Sequence, residues 1–212
     1  MCSKSPGQEL LENACKLESP ADNSAYYDTF TPTYDTDFAD RLGWHYPRAI
    51  AAIYNDGVRE TPVADIGCGT GAVAAALGLP AGQIDGMDIS AEMLSVAARK
   101  GLYRTLHQVN LTGPLDGISQ DYGTVLSAGT FTHGHLGPGP LRGLLAIARP
   151  GGLFIISVNK AHYHKHEFAA ALATLTTEGW IGAVMTTTAR MYDKADHDHS
   201  DDLALVLQYR KL

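Results

Sequence analysis

Between Val63 and Gly71 the chain reads Val-Ala-Asp-Ile-Gly-Cys-Gly-Thr-Gly, three apolar residues and one carboxylate running into three alternating glycines. Glycines at a strand-to-helix turn let backbone approach a ligand closely and leave the first helical amides available as donors. Asp88 follows 21 residues after Gly67, near the end of the next apolar run. In an open α/β sheet a carboxylate there meets the hydroxyls of a ribose bound at the switch point. The glycines alone are weak evidence; joined to Asp88 at this spacing they point strongly to a nucleoside. Asp65 narrows the choice further. A carboxylate just before the first glycine repels a pyrophosphate but suits the ammonium of an amino-acid tail, directly or through water. The ligand with a ribose, an α-amino acid and no phosphate is S-adenosylmethionine. Gly67-x-Gly69-x-x-Ala72 also passes as a relaxed nicotinamide fingerprint, so the residues alone leave two cofactor classes open.

A second group of reactive side chains is less orderly. Of nine histidines, His133 and His135 follow the fourth expected strand, His162, His164 and His166 the fifth, and His197 and His199 precede the seventh. An imidazole titrates near the working pH, which suits proton removal from a substrate. His133 is the first candidate base and His135 the second. His162 and His166 fall four apart and share a face if the following helix starts early. Histidines at alternate positions in polar loops are more often solvated, and no metal site is assigned. Cys2, Cys15 and Cys68 lack metal-ligand or disulfide spacing.

These groups need a scaffold that brings strand ends together. Short apolar runs predict strands over 63–66, 84–89, 105–109, 124–127, 153–158, around 183–188, and over 203–209. Helices are expected between them, over 72–77, from the Ser90 cap to Lys100, over 141–148 and over 167–178. Pro47 opens an earlier helix, 48–54, that Gly57 ends. Strands alternating with helices imply right-handed crossovers and a mostly parallel sheet covered on both faces. The loop before the final strand carries no helical stripe, which predicts an antiparallel last strand. The expected fold is α/β, a doubly wound seven-stranded Rossmann-like sheet. Residues 1–55 form an N-terminal arm and helical cap, and 56–212 the ligand-binding domain.

Composition excludes several partners. The 212 residues are 45% hydrophobic and 18% charged, an ordinary globular balance. The net charge of −7 disfavours a nucleic-acid backbone as partner. No apolar run reaches the ~18–20 residues of a bilayer span, and the first residues lack the apolar core of a signal peptide. A cytoplasmic protein with a small-molecule acceptor is expected, without nucleic acid or membrane; a homodimer is allowed.

Over roughly residues 26–212 the sequence resembles the class I S-adenosylmethionine-dependent methyltransferases. The likeness rests on Asp65-Ile66-Gly67-Cys68-Gly69-Thr70-Gly71, on Asp88-Ile89-Ser90 and on Arg149-Pro150-Gly151-Gly152. Tyr34-Asp35, Arg99-Lys100-Gly101-Leu102-Tyr103 and Gln208-Tyr209-Arg210-Lys211 are similar to the Williams–Beuren-region methyltransferase-like proteins. The resemblance implies that Gly67, Gly69 and Gly71 pass beneath the methionine tail, Asp88 chelates the ribose and Ile89 packs on the adenine. It further implies that Asn110 and Leu111 meet the adenine amino group, with the Asn110 carbonyl as acceptor. Ser127 would line the sulfonium side, and Tyr34 would touch the cofactor's carboxylate. The implied activity is methyl transfer to an oxygen, nitrogen or carbon nucleophile by in-line displacement. A cofactor-binding protein without turnover is the alternative. A nicotinamide-dependent reductase is the weaker one, because no Tyr-x-x-x-Lys pair is present.

Overall fold

In a computed structural model the described residues are 43–193 and 200–212, together with Asn13, Leu17, Asp22, Tyr26, Thr29 and 34–36. The elements follow in the order α1 (Tyr46–Asp56), β1 (Val63–Ile66), α2 (Ala72–Leu77), β2 (Ile84–Asp88), α3 (Ala91–Lys100), β3 (Thr105–Gln108) and β4 (Tyr122–Phe131). After them come α4 (Leu141–Leu144), β5 (Ala148–Asn159), α5 (Lys160–Lys165), α6 (Phe168–Thr177), β6 (Met185–Arg190) and β7 (Leu203–Arg210).

The seven strands form one sheet in the order β3-β2-β1-β4-β5-β7-β6. The first five run parallel, while β7 is inserted antiparallel between β5 and β6. The expected doubly wound architecture with an antiparallel last strand is therefore present. From β1 the chain steps outward to β2 and β3, then returns to lay β4 on the other side of β1. That reversal leaves a crevice at the carboxyl ends of β1 and β4.

Side-chain alternation explains why the sheet is covered twice. Along β5, Ile155 packs with Tyr46, Ile50, Tyr54 and Leu126 on one face, while Phe154 and Ile156 join Leu144, Phe168 and Leu172 on the other. Each fully buried Leu, Ile or Phe stabilises the fold by about 1.5–3 kcal/mol. The helices are delimited as their sequences suggest. Ser90 accepts the Met93 amide at 3.1 Å and caps α3, and Gly101 ends it with a left-handed backbone.

Differences from expectation have local causes. β4 spans ten residues rather than four because Gly123 and Gly129 sit inside it; a register shift between Ser127 and Phe131 absorbs Gly129 at φ +84. The helix expected over 141–148 ends after four residues and tightens into a 3-10 turn, Leu145–Ile147. The helix expected over 167–178 is preceded by a separate α5, which turns into α6 at Glu167 with φ 55.

Candidate active site

The floor of the crevice is the glycine loop. Gly67 and Cys68 donate their amides to the Met87 carbonyl at 2.8 and 3.0 Å, tying the loop to β2. From the β4 side, the Ser127 and Thr130 hydroxyls both donate to the Ile66 carbonyl, at 3.1 and 3.0 Å. Gly67 sits at φ +67, and a Cβ there would lie 2.0 Å from the Thr130 hydroxyl, so neither backbone nor space admits another residue. At Gly69, φ +51, a Cβ would meet nothing within 4 Å. Gly69 lines the crevice, so a ligand can rest directly on backbone there.

Asp88 ends β2 with its carboxylate already oriented. Oδ2 accepts the Gly69 amide at 2.8 Å and Oδ1 the Ser90 amide at 2.9 Å. These two backbone bonds fix the direction of the carboxylate. Asp65 is fully buried behind the loop. Tyr103 donates its hydroxyl to Oδ2 at 2.7 Å, whereas Oδ1 has no hydrogen-bond partner. Burial pushes the Asp65 carboxyl up to about 7; the Tyr103 bond opposes this and the nearby Asp88 charge adds to it.

Tyr34, Gly67, Gly69, Asp88, Ile89, Asn110, Leu111 and His135 all line this one crevice. Asp65, Gly71, Ser127 and His133 do not. Asp65 and Ser127 are fully buried beneath the loop, so the β4 wall is formed by Ala128, Gly129 and Thr130. Gly71, at φ +93, is instead packed on the Tyr103 ring, which a Cβ would approach to 3.1 Å. Asn110 also departs from expectation. Its side-chain carbonyl accepts the Thr112 amide and hydroxyl at 3.0 and 2.8 Å, so the group it presents to a ligand is its NH₂.

Between the two candidate histidines the geometry is unequal. The His135 Nδ1 contacts the His133 carbonyl at 3.1 Å. A carbonyl only accepts, so Nδ1 carries the proton and Nε2 is the acceptor nitrogen. Burial lowers the pKa of His135 to about 4, against the opposing His133 carbonyl and with help from His162, so its ring is neutral near pH 7. His133 lies outside the crevice, its ring 5.6 Å from that of His162. His162 and His166 do share a face, with ring centroids 4.2 Å apart, and His162 Nε2 donates to the Leu136 carbonyl at 2.9 Å. Among the described residues no group of three or more His, Cys, Asp or Glu could hold a metal ion. His197 and His199 lie outside the described residues.

Trp44, Thr130 and Leu136 also line the crevice and carry no motif that would single them out. Trp44 stands edge-on to Tyr34, with centroids 6.2 Å apart, and fits against Gly129 because that residue has no Cβ. Tyr34 is kept in place by its neighbour. Asp35 accepts the Thr70 hydroxyl and pairs with Lys100, both at 2.6 Å.

Among the described residues no lysine or arginine lines the crevice. Two carboxylates, one of them with an orphaned buried oxygen, fit a nucleoside with a cationic amino-acid tail. Residues 63–152 match the family model described as a methyltransferase domain. Human methyltransferase-like protein 27 is 31% identical over 179 residues, covering 79% of this chain and 71% of that protein. The chain belongs to the class I S-adenosylmethionine-dependent methyltransferases. S-adenosylmethionine is the methyl donor of this methyltransferase. A solved methyltransferase from Thermotoga maritima has the same fold, with TM-score 0.61 and 16% identity over 88% of this chain and 98% of that one. The [4+2]-cyclase SpnF has it too, with TM-score 0.61 and 12% identity over 92% and 97%. At these identities the likeness is one of fold. No helix of the described residues is long and apolar enough to cross a membrane.

Proposed function

We propose that the protein methylates an oxygen, nitrogen or carbon nucleophile of a small molecule, with His135 as general base. The observation that carries this reading is His135 itself: a neutral ring on the crevice wall with a defined acceptor nitrogen. The donor supplies a methyl on a sulfonium, which departs as a neutral thioether when an acceptor lone pair attacks carbon in line. What the chain contributes is alignment, worth ~7 kcal/mol or more in well-oriented systems. Asp88 takes the ribose hydroxyls, the glycine loop underlies the tail, and Asp65, buried beneath that loop, offers its charge to the ammonium from behind it. Ile89 and Leu111 flank the adenine, and Asn110 approaches it with its NH₂. Tyr34 and Trp44 cover the opening against water.

As the new bond to the methyl carbon forms, the acceptor's O–H or N–H becomes strongly acidic. His135 Nε2 then takes that proton and passes it to solvent. A base with a pKa near 4 does not deprotonate an alcohol beforehand; it accepts the proton late, as the acceptor becomes cationic. Residues 1–55 serve as arm and cap and 56–212 as the catalytic domain. The same reading sets the protein in the cytoplasm, with a homodimer allowed and no nucleic acid or membrane as partner.

The test follows labelled methyl from S-adenosylmethionine into small-molecule, protein and RNA fractions of an extract. Label confined to small molecules is expected. His135→Ala should lower turnover about 100-fold or more while S-adenosylhomocysteine affinity stays unchanged, and His133→Ala should act much less. Label in macromolecules, or wild-type turnover by His135→Ala, overturns the corresponding half.

A further inference from the structure

Beside the cofactor crevice, and sharing Leu111, His135 and Leu136 with it, lies a second cavity of about 540 Å³. It sits between the loop after β3 and the loop that carries the chain from β4 into α4. Four glycines line it: Gly113, Gly137, Gly139 and Gly143.

Glycine is ordinarily required for one of two reasons, a left-handed backbone or a neighbour too close for a Cβ. Neither applies here. None of the four has a positive φ. A Cβ built at Gly137, Gly139 or Gly143 meets nothing within 4 Å, and at Gly113 only the Asn110 carbonyl at an ordinary 3.6 Å. Gly143 even lies within α4, where alanine is the better helix former. Each of these side chains is absent without a structural reason, and together their absence is what leaves the cavity open. Pro138 and Pro140 fix their own φ and restrict the glycines before them, so the wall is stiff without side chains of its own.

The chemistry of the wall defines what it receives. Among the described residues no Asp, Glu, Lys or Arg lines it; the polar side chains are Thr112 and the neutral His135, at the junction with the crevice. A carboxylate, phosphate or ammonium entering would lose water and find no opposite charge. Nearby Arg142 is engaged elsewhere, by Glu178 at 3.3 Å and the Trp180 ring at 4.5 Å. We infer that this annex is the methyl-acceptor subsite, and that its ligand is an uncharged small molecule with an apolar body and one hydroxyl or N–H that reaches His135. The inference rests on the small-molecule reading above and specifies that molecule's charge state and polarity.

The experiment titrates 2-naphthol and its anionic counterpart 2-naphthoate into protein saturated with S-adenosylhomocysteine, followed by protein NMR. 2-Naphthol should shift resonances of residues 111–113 and 135–143 and bind at least tenfold more tightly than 2-naphthoate. Gly143→Leu and, separately, Gly137→Leu should weaken 2-naphthol at least tenfold, with Gly143→Ala in between and S-adenosylhomocysteine affinity unchanged as the check on folding. Equal binding of the two probes, no binding, shifts confined elsewhere, or indifference of both leucine variants overturns the subsite. Failure of the base assignment shows separately, as wild-type turnover by His135→Ala while 2-naphthol still binds the annex.

Discussion

Asp65 on β1 and Asp85 on β2 are both buried, one step out of register, since Asp65 pairs with Gly86 and Ala64 with Asp85, so they face opposite sides of the sheet. Each accepts a tyrosine hydroxyl, Asp65 from Tyr103 at 2.7 Å and Asp85 from Tyr122 at 2.6 Å. Consecutive residues serve them, for Tyr103 turns to Asp65 and Arg104 to Asp85. There the likeness ends. Arg104 grips both oxygens of Asp85, from Nε at 2.9 Å and from its terminal nitrogen at 2.6 Å. Burial would raise the Asp85 carboxyl, but the Arg104 and Tyr122 bonds outweigh it and hold the group below its usual range. Asp65 has no such cation, and burial wins. A buried carboxylate with its counter-charge is a structural part; one without it is half of an interaction. On the proposed reading, the ammonium of the methyl donor is the missing half.

The largest effect expected from breaking this contrast is on Asp85. Arg104→Met leaves a buried carboxylate uncompensated and should cost about 2–3 kcal/mol of unfolding free energy in urea titrations, somewhat below a fully buried pair because Arg104 is partly exposed. The folded fraction should bind S-adenosylhomocysteine as before. Loss of binding at full stability would invert the comparison. Asp65→Asn is the mirror experiment. It keeps the shape, removes the charge, and should leave stability unchanged or slightly raised at pH 8. Calorimetry should show S-adenosylmethionine affinity falling roughly tenfold to a hundredfold, the worth of a charged hydrogen bond of about 1.5–3 kcal/mol. An unaltered affinity would remove Asp65 from the ligand's reach.

The smallest and sharpest signal is the pH slope of stability. Asp65 titrates near 3.8 unfolded and near 7 folded. Its stabilising contribution is fully present below 3.8 and is lost as pH rises through 7. Asp85 works in the opposite sense, stabilising above the ordinary carboxylate range and losing this as pH falls through its lowered folded value. His135 and His162, both lowered to about 4 mainly by burial, also destabilise the fold as pH falls from 6.5 towards 4. The net curve therefore mixes signs, and the difference between wild type and Asp65→Asn isolates one group. That difference should slope only between about 4 and 7; a flat difference would mean Asp65 is ionised throughout.

Much of this site is legible in the sequence because its signals are short-range. Three glycines, the carboxylate before them and Asp88 at the next strand end are fixed by one βαβ unit, and the central strands of the sheet appear as apolar runs, whereas β3 and β6 at its edges are largely polar. What escaped depends on register between distant segments. The pairing of Asp65 with Tyr103 crosses 38 residues, and Glu60 joins Arg149 and Arg210 from two other strands. No local pattern encodes those meetings. The choice between His133 and His135 was hidden for a related reason: Gly134 sits at φ +74, and that single turn decides which imidazole reaches the crevice. β4 was read short because glycine inside a strand looks like its end.

The tie from Asp35 to Thr70 and Lys100 joins door and cradle in one piece. Thr70 belongs to the glycine loop itself, so the position of Tyr34 is tied, through Asp35, to the shape of that loop. Of the two contacts, the Thr70 hydroxyl bond is made at a buried side chain, whereas the Asp35–Lys100 ion pair is partly exposed and is the one that added salt weakens.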